Sequence, residues 1–506
     1  MAKICLSLTG STLDRDLEIL EKYRKYVDVA ELRVDFLDPD ERLHIRRFPE
    51  MAGIPVILTI RRDTDGGKYV GGEASRITLF SMGLAFAEVD KRKNFAYVDI
   101  ESDLNVPSLE EAARTFGTKI IRSIHNFQGV GEDLPKLIRE LRRTGDEIAK
   151  VAMMPQSTAD VLRIYQAARE TKNVKKILIG MGRFGASTRI LADYLGSHLT
   201  YSSVTDEDDL SLAAPGQLSP KELVELYRFK KINKDSKIFG ITGYPLTATS
   251  SPAFHNALFT QEQIDAVYIP FPSDSINSFL RLAEEINMEG ASVTVPYKES
   301  IIPNLSHRSD RVEHIGACNT IIRSAQGWMG YNTDGLGFSD ALLKFVGKKN
   351  LRGKRVTIIG AGGAARAVAA EVARLKGRAL ILNRTVFKAK ELALRYGFAW
   401  GGLDHQGMEM LDHYSHIIIQ TTSVGMEPNI DADPLDQYYF SGKEMVMDLI
   451  YKPAETRLLT RAKKAGCLIA NGSDMLVAQA KYQYNLFMRT DLDNEVVTKH
   501  APLPLG

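Results

Sequence analysis

The sequence predicts an α/β protein in three consecutive parts: a (β/α)8 barrel, a smaller α/β domain and a doubly wound parallel sheet. Three observations carry the prediction. Short apolar runs alternate with amphipathic helical patterns through residues 1–230, eight times over, the number of units in a closed parallel barrel. The alternation resumes over 237–335. Beyond it, Arg355-Val-Thr-Ile-Ile-Gly-Ala-Gly-Gly-Ala-Ala-Arg366 runs from an apolar strand through a glycine turn into a helical pattern.

The barrel strands read as Ile4–Leu8, Val29–Phe36, Pro55–Ile60, Ala96–Glu101, Lys119–His125, Ile148–Met154, Lys176–Met181 and Leu199–Val204. Leu13, Leu17, Leu20 and Val27 share one helical face, as do Val161, Leu162, Tyr165 and Ala168. Ser157 with Asp160 marks a helix start. Ser219 with Glu222 makes a capping box that opens the last helix of this part. An open doubly wound sheet is the alternative arrangement for these residues. The acidic run 205–209 reads as a solvated loop, and the charged segment Lys230 to Lys237 as the domain junction.

Over 237–335, strands are expected at Ile238–Thr242, Ala266–Pro270, Ala291–Val295 and Thr320–Arg323. No glycine-rich phosphate loop occurs there, so this part reads as a substrate domain. The Rossmann part spans 336–473, with later strands at Ile417–Gln420, Met445–Leu449 and Leu468–Ala470. A helix over 474–490 then returns to the substrate domain.

Bulk properties narrow the function classes. With 44% hydrophobic residues, 25% charged residues and a net charge of +2, there is no electrostatic case for a nucleic-acid partner. Cys5, Cys318 and Cys467 are scattered and lack metal-ligand spacing, which fits a reducing compartment and no metal. No apolar run reaches the length of a membrane span. A cytoplasmic enzyme acting on small molecules is the default by exclusion, and the oligomeric state is left open.

The glycine turn carries the first specific chemistry. Gly360 would make the tight turn and Gly362 would let backbone approach a pyrophosphate, with Ala365 as the small third residue. Gly363 and the neighbouring Ala361 and Ala364 complete the cradle. The second strand ends in Asn383-Arg384-Thr385, with Lys388 close behind. Arg384 and Lys388 can pair with a 2′-phosphate where an acid would repel it, which favours NADP over NAD. Thr422, beyond the strand Ile417–Gln420, is a further expected cofactor contact.

A barrel's active site lies at the C-terminal ends of its strands. Those ends offer Glu31, Arg33, Arg61, Asp65 with Gly66-Gly67, His125, Lys150, Met181, Arg189 and Gln217. Lys150 stands out, because a lysine within a central strand cannot easily reach water. Burial and neighbouring arginines would favour its neutral form, the requirement for Schiff-base chemistry. ELRVDF (31–36), TIR (59–61), SIHNF (123–127), KVAMMP (150–155) and APGQ (214–217) resemble type I 3-dehydroquinate dehydratase. The resemblance implies an imine between Lys150 and the substrate ketone, with His125 as the proton-transfer group. It implies that Glu31, Arg33, Arg61, Arg189 and Gln217 hold hydroxyls and carboxylate. Two departures are Asp65, where the family often has Glu, and Ala213, where it has Ser. Both imply altered affinity before lost activity.

In the second half, Thr247–Pro252, Ser292–Lys298, Gly316–Thr320 and Gly330–Gly335 collect polar residues. A Lys and an Asp in such clusters suit a ketone reduction, which moves a proton alongside the hydride. With Val293-Thr-Val-Pro-Tyr-Lys298, Tyr331-Asn-Thr-Asp-Gly335 and Met475-Leu-Val-Ala-Gln479, this half resembles shikimate dehydrogenase. The resemblance implies Lys298 and Asp334 as the catalytic pair. It implies Thr249, Ser251 and Tyr451 for the carboxylate, and Thr294, Asn319 and Gln479 for ring hydroxyls. Thr249 replaces the family's serine, Lys388 stands where arginine is common, and Ser473-Asp474 replaces a glycine-rich pair. Together the halves imply consecutive steps of the shikimate pathway. The alternatives are quinate oxidation with NAD, a metabolite sensor built on inactive copies of both enzymes, and, for the first half alone, a generic Schiff-base aldolase.

Overall fold

The computed structural model describes residues 1–84, 90–204, 214–246 and 249–490; the acidic run 205–209, Ala213 and residues 247–248 lie outside these. The chain divides into two compact units, Met1–Met288 and Glu289–Gly506.

In the first unit, eight parallel strands run β1 (Lys3–Leu8), β2 (Val29–Arg33), β3 (Val56–Thr59), β4 (Tyr97–Glu101), β5 (Lys119–Asn126), β6 (Ile148–Met153), β7 (Lys176–Gly180) and β8 (Leu199–Ser202). Each neighbours its successor through β7, and β8 pairs with β1. The β7–β8 seam is lighter. It is held by one bridge, Lys176 to Ser197, by the His198 N–H on the Lys176 carbonyl (2.7 Å) and by the Leu178 N–H on Ser197 Oγ (3.0 Å). The sheet is therefore a nearly closed barrel, not the open alternative. β2 is shorter than expected, because Phe36 N–H turns back to the Arg33 carbonyl at 3.0 Å. The first helix ends at Tyr23, so Val27 lies beyond it, and Ile19 rather than Leu17 joins Leu13 and Leu20 in the core.

The period of two along a strand organises the barrel interior. Cys5, Val29, Ile57, Tyr97, Ile121, Ile148, Ile177 and Leu199 form one apolar layer across all eight strands. Two residues further along each strand stand Ser7, Glu31, Thr59, Asp99, Ser123, Lys150, Ile179 and Tyr201. An apolar plug thus lies beneath a polar floor. The expected caps form: Ser157 Oγ accepts from the Asp160 N–H at 3.2 Å, and Ser219 and Glu222 exchange bonds of 2.9 and 3.1 Å.

β9 (Lys237–Gly243) and β10 (Ala266–Pro272) pair in parallel. The Asp274 carboxylate accepts from Thr158 N–H and Oγ, Arg169 pairs with Glu285, and Phe184 stacks on Tyr244. These bonds draw 237–288 onto the barrel past the charged junction.

The second unit holds β11 (Gly290–Val293), β12 (Leu305–Arg308), β13 (Thr320–Ser324) and β14 (Gly327–Tyr331), with β13 antiparallel to β11 and β14. β12 and β14 were not foreseen. A parallel sheet follows: β15 (Arg355–Ile359), β16 (Arg378–Leu382), β17 (Ala399–Gly401), β18 (Ile417–Gln420), β19 (Met445–Asp448) and β20 (Leu468–Ala470). Its order, β17-β16-β15-β18-β19-β20, is that of the Rossmann fold. No helix among the described residues is long and apolar enough to cross a membrane.

Candidate active sites

One cavity of about 70 Å³ sits above the polar floor of the barrel. Glu31, Arg33, Arg61, Asp65, His125, Lys150, Met181, Arg189 and Gln217 all line it. Every barrel residue expected from the sequence is therefore brought to one place.

The charge arrangement inside differs from expectation. Lys150 Nζ donates to Asp99 Oδ2 at 2.7 Å, lies 3.9 Å from Glu31 Oε1 and stands over the Tyr201 ring at 4.1 Å. Its partner is a carboxylate that the sequence reading did not single out. Arg61, expected to face substrate, is engaged by Asp99 (2.8 Å) and Glu101 (2.6 Å). Ser123 Oγ donates to Asp99 at 2.5 Å. Burial pushes the Asp99 carboxyl up, but Arg61 and Lys150 more than reverse this and hold it well below the usual range. Asp99 and Glu101 alternate onto the same strand face, and that was the readable signal.

Glu31 is fixed by hydroxyls: Ser7 Oγ at 2.6 Å and Thr59 Oγ1 at 2.9 Å. Arg33 does not pair with Glu31 on the surface. It is buried in a two-pronged bond to Asp35 (2.9 and 2.7 Å). Asp35 also accepts from the backbone N–H groups of Arg61 and Lys68, so it ties Arg33 to the loop after β3. In that loop Asp65 is held by Arg62 at 2.7 Å. Gly66 has φ +78°, and a Cβ there would stand 2.5 Å from Phe127.

Two groups in the cavity have spare capacity. His125 Nδ1 is buried without a partner among the described residues. Burial first, then Arg61 and Lys150, push the imidazole well below its ordinary pKa, so it is a neutral base near pH 7. Among the described residues Arg189 meets only carbonyl oxygens, those of Tyr201 (3.4 Å) and Pro215 (3.3 Å). Burial lowers it to about 10. A buried guanidinium with no carboxylate partner among the described residues suits an incoming anion.

In the second unit Lys298 Nζ donates to Asp334 Oδ2 at 2.5 Å. Asp334 Oδ1 accepts from the Asn319 amide at 2.8 Å. That amide also donates to Thr333 Oγ1, while Asn319 Oδ1 accepts from Thr320 Oγ1 and Thr333 N–H. Asn319, expected to hold a ring hydroxyl, is thus fully bonded and fixes Asp334 in place. Gln479 reaches Thr333 Oγ1 at 3.5 Å, and Gln483 bonds Ser292 and Thr320, so the helix Ser473–Phe487 braces this cluster. Thr333 and Gln483 were missed by the sequence reading, since each looks like an ordinary polar residue until its partner is known. Thr294 and Tyr451 are half-buried, with no side-chain hydrogen bond among the described residues. Thr249 and Ser251 belong to the first unit, where their hydroxyls lie 3.3 Å apart.

The glycine turn has the geometry a dinucleotide needs. Gly360 has φ +113°, and a Cβ there would meet Thr421 at 2.5 Å. Gly362 opens the helix Gly363–Arg374 with no side-chain cap, and the space where its Cβ would stand is empty. Unclaimed N–H groups at a helix start bind phosphate. A Cβ on Gly363 would lie 3.4 Å from Lys298 Cδ, so this glycine lets the lysine stem pass the turn. Ala361 is buried and Ala364 half-buried beside it. Asn383 bonds the Thr385 carbonyl, and Thr422 is engaged by Gln420 and Val424. Arg384, Thr385 and Lys388 are exposed, and neither cation is ion-paired among the described residues. These residues fit an NADP-type dinucleotide. No group of His, Cys, Asp or Glu among the described residues could hold a metal ion.

The comparisons with known proteins follow the same division. The model of type I 3-dehydroquinase matches residues 4–234. That of the shikimate dehydrogenase substrate binding domain matches 241–321, and that of shikimate/quinate 5-dehydrogenase matches 342–449. A chloroplastic bifunctional 3-dehydroquinate dehydratase/shikimate dehydrogenase of Arabidopsis thaliana is 30% identical, over 96% of this chain and 81% of its own length. A shikimate biosynthesis protein of Chlamydia pneumoniae is 27% identical over 96% of this chain and 95% of its own. A shikimate dehydrogenase (NADP(+)) of Caldanaerobacter subterraneus is 35% identical over 53% of this chain and 97% of its own.

Proposed function

The chain belongs to the bifunctional 3-dehydroquinate dehydratase/shikimate dehydrogenase family, and from that membership we propose how its two sites divide the chemistry. Lys150 attacks the C3 ketone of 3-dehydroquinate and expels water to give an imine. For this the lysine must leave Asp99 as a free amine. The protonated imine draws electrons from the adjacent carbon, and His125 removes the C2 proton. That proton then assists departure of the C1 hydroxyl as water, and hydrolysis of the imine returns Lys150 and 3-dehydroshikimate. Arg189 takes the substrate carboxylate, with Gln217 beside it. Glu31, Arg33, Arg61, Asp65 and Met181 shape the pocket around the hydroxyls.

The second site reduces 3-dehydroshikimate to shikimate. NADPH supplies the hydride when bound. Lys298 gives its proton to the keto oxygen, and Asp334, aimed by Asn319, holds the lysine and a ring hydroxyl. Thr249, Ser251 and Tyr451 receive the carboxylate. Arg384 and Lys388 take the 2′-phosphate; exposed, and unpaired among the described residues, they favour NADP over the NAD reading. We place the domains at 1–230, 237–335 completed by 474–490, and 336–473. The bracing of Asn319 and Thr333 by Gln479 and Gln483 supports the returning helix. The three cysteines are free and buried, which supports a reducing compartment such as the cytoplasm.

The observation that carries the reading is the convergence of Lys150, His125 and Arg189 on one cavity. Supplying 3-dehydroquinate and NADPH and following NADPH loss tests both halves at once. Borohydride treatment in the presence of 3-dehydroquinate should add the reduced adduct mass at Lys150. A trapped adduct elsewhere, or none in an active enzyme, defeats the imine mechanism. Turnover at either site excludes the sensor.

A further inference from the structure

A groove of about 990 Å³ lies in the first unit, apart from the barrel cavity. Its walls are the helices Thr158–Glu170 and Ile276–Glu285 and the turn before β8. Arg169, Lys172, Lys176, Lys234 and Arg281 line it. The acids present do not balance them. Asp193 is engaged by the Ala2 N–H (2.6 Å) and the terminal amine (3.3 Å), and Glu285 by Arg169 (3.0 Å). That leaves Lys172, Lys176, Lys234 and Arg281 facing Glu284, with no ion pair to any of them among the described residues.

Lys176 is the telling member. It is 1% exposed, and among the described residues its ammonium donates only to the Thr171 carbonyl at the end of the first wall helix (2.8 Å). Burial lowers its pKa to about 8. Buried charges are ordinarily paired, and two of this ammonium's three donors are unused.

We propose that this groove binds a small polyanion, a molecule carrying two or more carboxylate or phosphate groups, with Lys176 at its inner end and Lys234 and Arg281 at its rim. Such a ligand would tie the helix after β6, the strand of Lys150, to the helix Ile276–Glu285.

The test is calorimetry on the full chain at low salt, with tripolyphosphate and citrate as separate probes. Binding of tripolyphosphate alone assigns a phosphate-bearing ligand, citrate alone a polycarboxylate, and both the shared anion chemistry. Replacing the exposed rim pair, Lys234→Ala with Arg281→Ala, should weaken binding about tenfold or more, the loss expected for charge-assisted bonds. Lys348→Ala in the second unit should leave it unchanged, and Arg189→Met should retain it, which separates the groove from the barrel cavity. Lys176→Met should abolish it. Absence of binding by either probe overturns the proposal. So does undiminished binding in the rim double variant, an equal loss in Lys348→Ala, or a loss in Arg189→Met alone.

Discussion

A carboxylate in the middle of a β-strand is expensive to bury unless cations meet it. Asp99 is met by Ser123 on the adjacent β5, by Lys150 on β6 and by Arg61 just past the end of β3. Asp99→Asn keeps the shape and removes the charge, leaving two buried cations short of a partner. It should cost about 3–5 kcal/mol of barrel stability, lower dehydratase kcat and leave dehydrogenase kcat unchanged; denaturant midpoints and separate rate assays check this. Arg61 and His125 were legible because each stands at or near a strand's C-terminal end, and Lys150 because it is a lysine inside an apolar strand. For Asp99 only the alternation with Glu101 was readable; its role was not, because that comes from Lys150, 51 residues away. The neutral His125 sets a second expectation: the acid limb of dehydratase kcat/KM should lie below pH 6.5, the unperturbed histidine value. An acid limb above that pH contradicts His125 as the base. Asp16 gives a third. It is fully buried, one oxygen accepts from the Gly10 N–H at 2.8 Å and the other has no partner among the described residues. Burial raises its pKa to about 7. The folded state therefore holds a proton that the unfolded chain releases near 3.8. The resulting stability is full below 3.8 and lost as pH rises through 7. Asp16→Asn should flatten Tm across that range and exceed wild type above pH 7.

At the scale of elements, the loop Asp65-Gly66-Gly67 depends on its glycines. Gly66→Ala meets a positive φ and the Phe127 ring together. The loop should shift, raising dehydratase KM several-fold and costing roughly 1–2 kcal/mol for the backbone alone; an unchanged KM would show that the loop does not shape the pocket. Arg384→Asp at the end of β16 should turn the dehydrogenase from NADPH toward NADH, read as the ratio of the two kcat/KM values. Apolar strands with period-two or continuous patterns were readable almost to the residue, as at Ile417–Gln420 and Leu468–Ala470. β12 and β14 were not. Leu-Ser-His-Arg carries little apolar signal, and Gly-Trp-Met-Gly-Tyr is broken by glycines that read as turns. Their pairing is decided by tertiary contacts, which local pattern does not carry.

At the scale of the whole molecule, the two sites make separate and successive demands on one substrate. Lys150→Ala should abolish NADPH loss from 3-dehydroquinate yet spare it from 3-dehydroshikimate. Lys298→Ala should do the reverse for dehydration, which it leaves intact. Mixing the two variants should restore the coupled reaction through free 3-dehydroshikimate; failure to restore it would mean that the intermediate does not leave the chain that made it.

The light seam of the barrel has its own consequence. Between β7 and β8 a single bridge, with the His198 N–H on the Lys176 carbonyl, and one further bond to Ser197 Oγ replace the full ladders found elsewhere. A ring of strands opens at its thinnest join, and local opening governs the exchange of amide hydrogen for deuterium. Lys176–Gly180 and Leu199–Ser202 should take up deuterium well before Val56–Thr59 on the far side of the ring. The barrel would then unfasten beside Arg189, which follows β7 in the chain.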